Sequence, residues 1–213
     1  MKTYKITSQK DLDKFKDEYG YKIDGNAEFS YTAIFEGRLY VEGYLSIKAG
    51  GSIEAGDSIV AGDSIVAGDS IQAGDSIEAG YWIEAGDSIQ AGDSIQAGDS
   101  IEAGDSIQAG DSIEAGYSIQ AGDSIKALRG GITAGLNISC NGLLRFKLRL
   151  FAGTSPYSWN EDCSKEVKCG KLEGNVVYGD VIETGLPDKP EITNPPEITF
   201  DGATYVLKEQ SNE

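Results

Sequence analysis

The chain predicts an all-β fold, a single-stranded β-solenoid (β-helix). Three observations predict it: a six-residue tandem repeat, an apolar alternation of period two inside each repeat, and 28 glycines among 213 residues. Isoleucine stands at every sixth position from Ile47 to Ile125, and each is followed two residues later by alanine. The consensus is Ile-x-Ala-Gly-Asp-Ser, with Gln, Glu, Lys or Val at x. A period of six divides by two and fits 3.6 poorly, so it selects strand over helix. The glycine content is too high for a helical or α/β protein and lacks the Gly-X-Y period of collagen.

Within one hexad, Ile and Ala share the inward face, while Ser and x flank Ile on the outer face. Gly-Asp makes the corner, Gly through its backbone freedom and Asp through an Asx-type hydrogen bond. Stacked coils lie about 4.8 Å apart, so Ile rests on Ile and Ala on Ala in a ladder that no single repeat could bury. Two hexads per coil give a flattened tube and three a triangular one. Opposed Ile side chains fill a triangular bore better, which favours 18 residues per coil.

The ends differ from the middle, as they must where an open coil would expose a sheet edge. Residues 1–34 read as an N-terminal cap. Ser8 and Asp11 resemble a capping box, and Leu12, Phe15 and Tyr19 are spaced for a short amphipathic helix over residues 8–19. The solenoid is expected over residues 35–154, with near-perfect repeats over 47–127. Its degenerate first repeats place Phe35 and Val41 in the Ile slot. A one-residue slip at Leu128-Arg-Gly-Gly131 precedes Ile132, Ile138, Leu144 and Leu150. Residues Leu144 to Leu150 alternate as one strand with a basic face. Residues 155–213 read as a C-terminal β tail: two strands within 166–184, a linker marked by Pro187, Pro190, Pro195 and Pro196, and a hairpin from Ile198 to Leu207 turning at Asp201-Gly202.

The charge balance is acidic, 35 Asp and Glu against 18 Lys and Arg, for a net charge of −17. Direct binding of nucleic acid or of an anionic membrane is disfavoured, and basic partners are favoured. Three cysteines, Cys140, Cys163 and Cys169, fit no closed disulfide framework and read as buried small hydrophobes in a reducing compartment. Met1 to Thr7 lacks the apolar stretch of a secretory signal, so a cytoplasmic location is expected.

Histidine is absent from the sequence, and no pattern of catalytic or metal-ligating residues stands out. A non-enzymatic protein without cofactor is expected. The candidate partner-binding residues are the aspartates at the repeat corners, Asp57, Asp63, Asp69, Asp75, Asp87, Asp93, Asp99, Asp105, Asp111 and Asp123. Stacking like charges about 4.8 Å apart costs roughly 0.9 kcal/mol per pair at the dielectric of water, before screening. Asn or Ser would turn the corner without that cost. Residues 47–130 carry −12 of the total charge. Tyr81 and Tyr117 replace Asp, and Trp82 replaces Ser. Tyr81 and Tyr117 stand 36 residues apart and Leu45 36 residues before Tyr81, which predicts one apolar edge suited to a contact hot spot.

The repeat resembles the hexapeptide-repeat β-helices, a family that includes acyltransferases and filament-forming bactofilins. The resemblance spans about 40% of the chain by the extent of the repeats. It implies the fold. It does not imply the transferase activity, which relies on a histidine base. It also departs in order, since the small residue here follows the aliphatic one by two positions. Pentapeptide-repeat proteins that mimic DNA offer an analogy of shape and charge. The functional expectation is therefore an acidic rod that binds a basic protein surface, most concretely a nucleic-acid mimic that inhibits a DNA- or RNA-binding protein, as a phage protein blocking a host defence would. The alternative is a structural or surface-binding solenoid that forms filaments or binds ice. Self-association through ends or edges is compatible with both.

Overall fold

Coil-to-coil pairing of the hexads builds the whole molecule. In the computed structural model, which describes residues 1–154 and 165–186 and the paired strands 197–200 and 203–206, the repeats wind into a triangular β-solenoid. Three parallel sheets form its faces. Face I contains Ile53–Ala55, face II Ile59–Ala61 and face III Ile65–Ala67. Each strand pairs with those one coil before and after it. Thus Ile53, Ile71, Ile89, Ile107 and Ile125 stack on face I, Ile77 on Ile95 on face II, and Ile83 on Ile101 on face III. Partners are 18 residues apart, as three hexads per coil require.

The bore explains the side-chain pattern. Isoleucines from Ile59 to Ile138 have no exposure, and the alanines beside them almost none. Burying an isoleucine fully is worth about 1.5–3 kcal/mol, so the stacked ladder is the main source of stability. The residue at x points outward on every face, and the serines at the corners are half-buried except Ser64 and Ser124, which are buried. Ser88 and Ser106, Ser94 and Ser112, and Ser100 and Ser118 share hydroxyl hydrogen bonds of 3.1–3.4 Å between coils. Serine is thus a corner-stacking residue more than a free surface group.

Repeat glycines have a reason different from the expected one. None from Gly56 to Gly122 has a positive φ. A Cβ on Gly74, Gly92 or Gly104 would instead overlap the carbonyl oxygen of the glycine one coil earlier. Close backbone approach at the corner admits no side chain.

The solenoid starts earlier than the repeats. Thr3–Ile6 lies on face III, paired with Asn26–Phe29, and Gly20–Ile23 lies on face II, paired with Arg38–Val41. The helix between them is shorter than expected: one α-turn, Gln9–Leu12, then a 3-10 turn, Asp13–Phe15. Lys16 already bridges to Tyr21, and Tyr19 is exposed. Leu12 is fully buried, and Phe15 stacks edge-on against Tyr4 at 4.9 Å. Ser8 Oγ donates to Asp11 Oδ2 and accepts from no helix N–H, and Asp11 accepts from the Thr7 N–H. The Lys14 ammonium, with the Thr7 and Ser8 hydroxyls, holds the Asp11 carboxyl far below the usual range.

Register differs from the six-residue count before Ile53. Ala33 pairs with Ile53 and Phe35 with Ala55; Leu39 pairs with Ile59 and Val41 with Ala61. Phe35 and Val41 therefore fill the Ala slot, and Ile47, stacked on Phe29, fills it too. The cause is a two-residue insertion at the corner 48–52, where Gly51 N–H donates to Lys48 carbonyl and Gly50 has φ +77°. From Ile47 in the Ala slot to Ile53 in the Ile slot should be four residues; the insertion makes it six and imitates an unbroken repeat.

The one-residue slip after Ile125 lies where the sequence placed it: Ile113 pairs with Ile132 and Ile125 with Leu144. Leu144 to Leu150, in contrast, is two strands on two faces, Leu143–Phe146 and Leu150–Ala152, with a corner at the exposed Leu148. Past residue 164, four strands continue the three sheets: Glu166–Cys169, Lys171–Glu173, Val176–Tyr178 and Asp180–Glu183. Glu197–Phe200 and Ala203–Val206 form a separate antiparallel pair. Cys163, the four prolines and Asp201-Gly202 lie outside the described residues.

Candidate binding surface: three corners and an aromatic edge

Eighteen residues per coil divide the ten aspartates among three corners, so they do not form one ladder. The first corner, between faces I and II, stacks Asp57, Asp75, Asp93 and Asp111; each N–H donates to the preceding carbonyl at 2.7–3.0 Å. The third, between faces III and I, stacks Asp69, Asp87, Asp105 and Asp123 by the same bonds at 2.7–2.9 Å. The second corner, between faces II and III, alternates: Asp63, Tyr81, Asp99, Tyr117.

The expected Asx-type bond is not what closes these corners. Among the described residues, no backbone N–H donates to a repeat aspartate carboxylate; the backbone ladder makes the turn. Asp93 and Asp111 pair with Arg129, whose guanidinium lies 3.2 and 2.8 Å away. No ion pair is seen for the other eight among the described residues.

The second corner carries the apolar groups. Tyr81, Trp82 and Tyr117 are 51%, 46% and 42% exposed, and the Tyr81 and Trp82 rings lie 6.3 Å apart, tilted by 51°. Leu45 does not join them. It pairs with Ile65 in the Ile slot and is fully buried, because the 48–52 insertion shifts it out of the corner phase. Tyr44 is the residue that sequence reasoning missed. It occupies the column of Ser64 and Trp82, as the carbonyl bonds to Ala27, Leu45 and Ile65 show. Its hydroxyl donates to Glu28 Oε1 at 2.6 Å, which raises the phenol above its ordinary value. Only the hidden insertion concealed it.

Two open grooves follow this corner. One of about 640 Å³ is lined by Tyr44, Glu28, Asp63, Tyr81 and Trp82 among others; the next, about 400 Å³, by Trp82, Glu84, Asp99, Glu102 and Tyr117 among others. The glutamates are partitioned as well. Glu84 pairs with Glu102 on face III, and Glu78 and Glu114 lie on face II, joined through Gln96. Face I bears Glu54 and then a neutral row, Gln72, Gln90 and Gln108, ending in Lys126 and Arg145. Faces II and III, which flank the aromatic corner, thus hold four of the five repeat glutamates, while the two corners of four aspartates border face I.

Cys140 and Cys169 are buried on face III. Burial pushes the Cys140 thiol up to about 12 and raises Cys169 too, which keeps both protonated and unreactive. Among the described residues, no group of three His, Cys, Asp or Glu side chains is placed to hold a metal ion, and no helix is long and apolar enough to cross a membrane. Comparison with protein-family models, with curated proteins and with solved structures gives no match. The fold is a triangular β-solenoid of tandem repeats, about nine coils long.

Proposed function

We propose that this chain is a non-enzymatic acidic rod that binds a basic protein surface, most concretely the nucleic-acid groove of a DNA- or RNA-binding protein, in the cytoplasm. The observation that carries the reading is linear charge density. Residues 53–127 hold fifteen Asp and Glu against one Lys. They fill a little over four coils, or about 20 Å of rod, so one net negative charge falls on roughly every 1.4 Å. Duplex DNA has one per about 1.7 Å. A cleft evolved for the polymer meets a similar field on this rod, and the same steering applies. That eight of the ten corner carboxylates lack an ion pair within the chain, among the described residues, supports the same reading.

The test is competition. Immobilised protein should retain basic nucleic-acid-binding proteins at low salt, and duplex DNA or RNA should displace them. Retention that excess nucleic acid cannot reduce would count against mimicry. A structural role through end-on association is the second reading, favoured by the exposed Val181 and Ile182 on the last described strand of face III and the exposed Leu186 just after it. Concentration-dependent sedimentation would support it.

A further inference from the structure

The acidic rod explains attraction to a basic partner but not why one corner of three breaks its aspartate stack with aromatic rings. The geometry points to an arginine-reading edge along the second corner: two slots that take guanidinium groups of an extended, arginine-bearing segment of the partner. This deepens the reading above and rests on it for the identity of the partner, though not for the chemistry of the slots.

Each slot combines the same parts. The first lies between Tyr44 and the Tyr81–Trp82 pair, with Asp63 and Glu28 at its walls. The second lies between Trp82 and Tyr117, with Asp99, Glu84 and Glu102. Asp63 and Asp99 are half-buried, unlike the exposed aspartates of the first corner, and no ion pair is seen for either among the described residues. A ring beside a carboxylate is the setting in which a planar guanidinium does best: it stacks on the ring face and gives the carboxylate two parallel N–H bonds. Lysine offers only a point charge there. Neutral apolar ligands would leave the carboxylates desolvated without a partner.

Spacing identifies the conformation of the occupant. Asp63 and Asp99 are 36 residues, hence two coils, apart along one column, which is about 9.6 Å at the usual strand separation. In a polyproline II segment, residues i and i+3 lie on the same side and about 9.3 Å apart. A β-strand places same-side residues about 6.6 Å apart and matches less well. The preferred motif is Arg-x-x-Arg in an unfolded or polyproline II tail, running parallel to the rod axis. Glutamates on the flanking faces II and III keep that path acidic on both sides.

Calorimetric titration of the full chain with synthetic peptides tests this. A peptide with arginine at every third position should bind at least ten times more tightly than an isomer of the same composition with its arginines adjacent, and than the lysine version. Trp82→Ala should cost about tenfold, whereas Gln72→Ala with Gln90→Ala on the exposed surface of face I should change affinity less than twofold. Circular dichroism checks that each variant folds, and the peptide comparison on the wild-type chain stands whatever the variants do. Equal affinity for the spacing isomers, or a face I glutamine variant as damaging as Trp82→Ala, would overturn the slots. If that happens while salt-dependent capture of basic proteins persists, the acidic rod survives without them. If capture is indifferent to salt but the spacing preference holds, the rod reading fails and the slots remain.

Discussion

Neutralising the third corner should stabilise the protein. Asp69, Asp87, Asp105 and Asp123 are stacked on successive coils, their backbones joined at 2.7–2.9 Å, and no ion pair compensates them among the described residues. Asp87→Asn with Asp105→Asn removes all three neighbouring repulsions at once. At about 4.8 Å and the dielectric of water each is worth at most roughly 0.9 kcal/mol, or about 2.6 kcal/mol for the corner. A Debye length of about 8 Å at 0.15 M salt reduces that to about 1.4 kcal/mol. For a chain of this size, thermal melting should then shift upward by roughly 3–6 °C, more at low salt, and by only about 1–2 °C at 1 M. The matching pair Asp75→Asn and Asp93→Asn should gain less, since Asp93 already has Arg129. A variant that melts several degrees lower at every salt concentration would refute the reasoning and return the carboxylates to corner chemistry.

Gly92→Ala should cost 1–3 kcal/mol or more, because its Cβ meets the Gly74 carbonyl; unchanged thermal melting would contradict the close-approach account. Removing the coil 84–101 should leave a folded rod about 4.8 Å shorter with Tyr81 and Tyr117 still on one corner, while removing 84–95 should also fold, since every face repeats Ile-x-Ala, but turn Tyr117 onto another corner and weaken partner binding; equal partner affinity of the two deletions would contradict the face-specific reading. At the N-terminal cap, the folded-state pKa of Asp11 lies below its unfolded value. Its contribution is therefore present above about pH 4 and is lost only as the pH falls through the depressed value. Asp11→Asn should lower melting at pH 7 and have no effect in strong acid; the reverse order would overturn that assignment.

The fold was legible because the Ile-x-Ala pattern encodes both the strand period and the coil, and the bore admits little else. The slip at Leu128–Gly131 was readable for the same reason. What stayed hidden was an insertion whose length restored the count: Ile47 looked in phase with Ile53 while standing in the other slot, which misplaced Leu45 and concealed Tyr44. A corner glycine forced by a neighbouring coil looks identical in sequence to one chosen for a positive φ. Strict alternation from Leu144 to Leu150 survived a corner because Leu148 occupies an outward position there. The aspartates and aromatics were readable as residues but not as three separate columns until the coil length was fixed.

The dependence of partner affinity on salt tests the central claim most directly. With Asp87, Asp93, Asp99, Asp105 and Asp111 changed to Asn, the rod should fold, bind its basic partner far more weakly at low salt, and show a shallower decline in affinity as salt rises, since fewer ion pairs form. A five-Asn chain that binds as tightly as the wild type, with the same salt slope, would contradict the account.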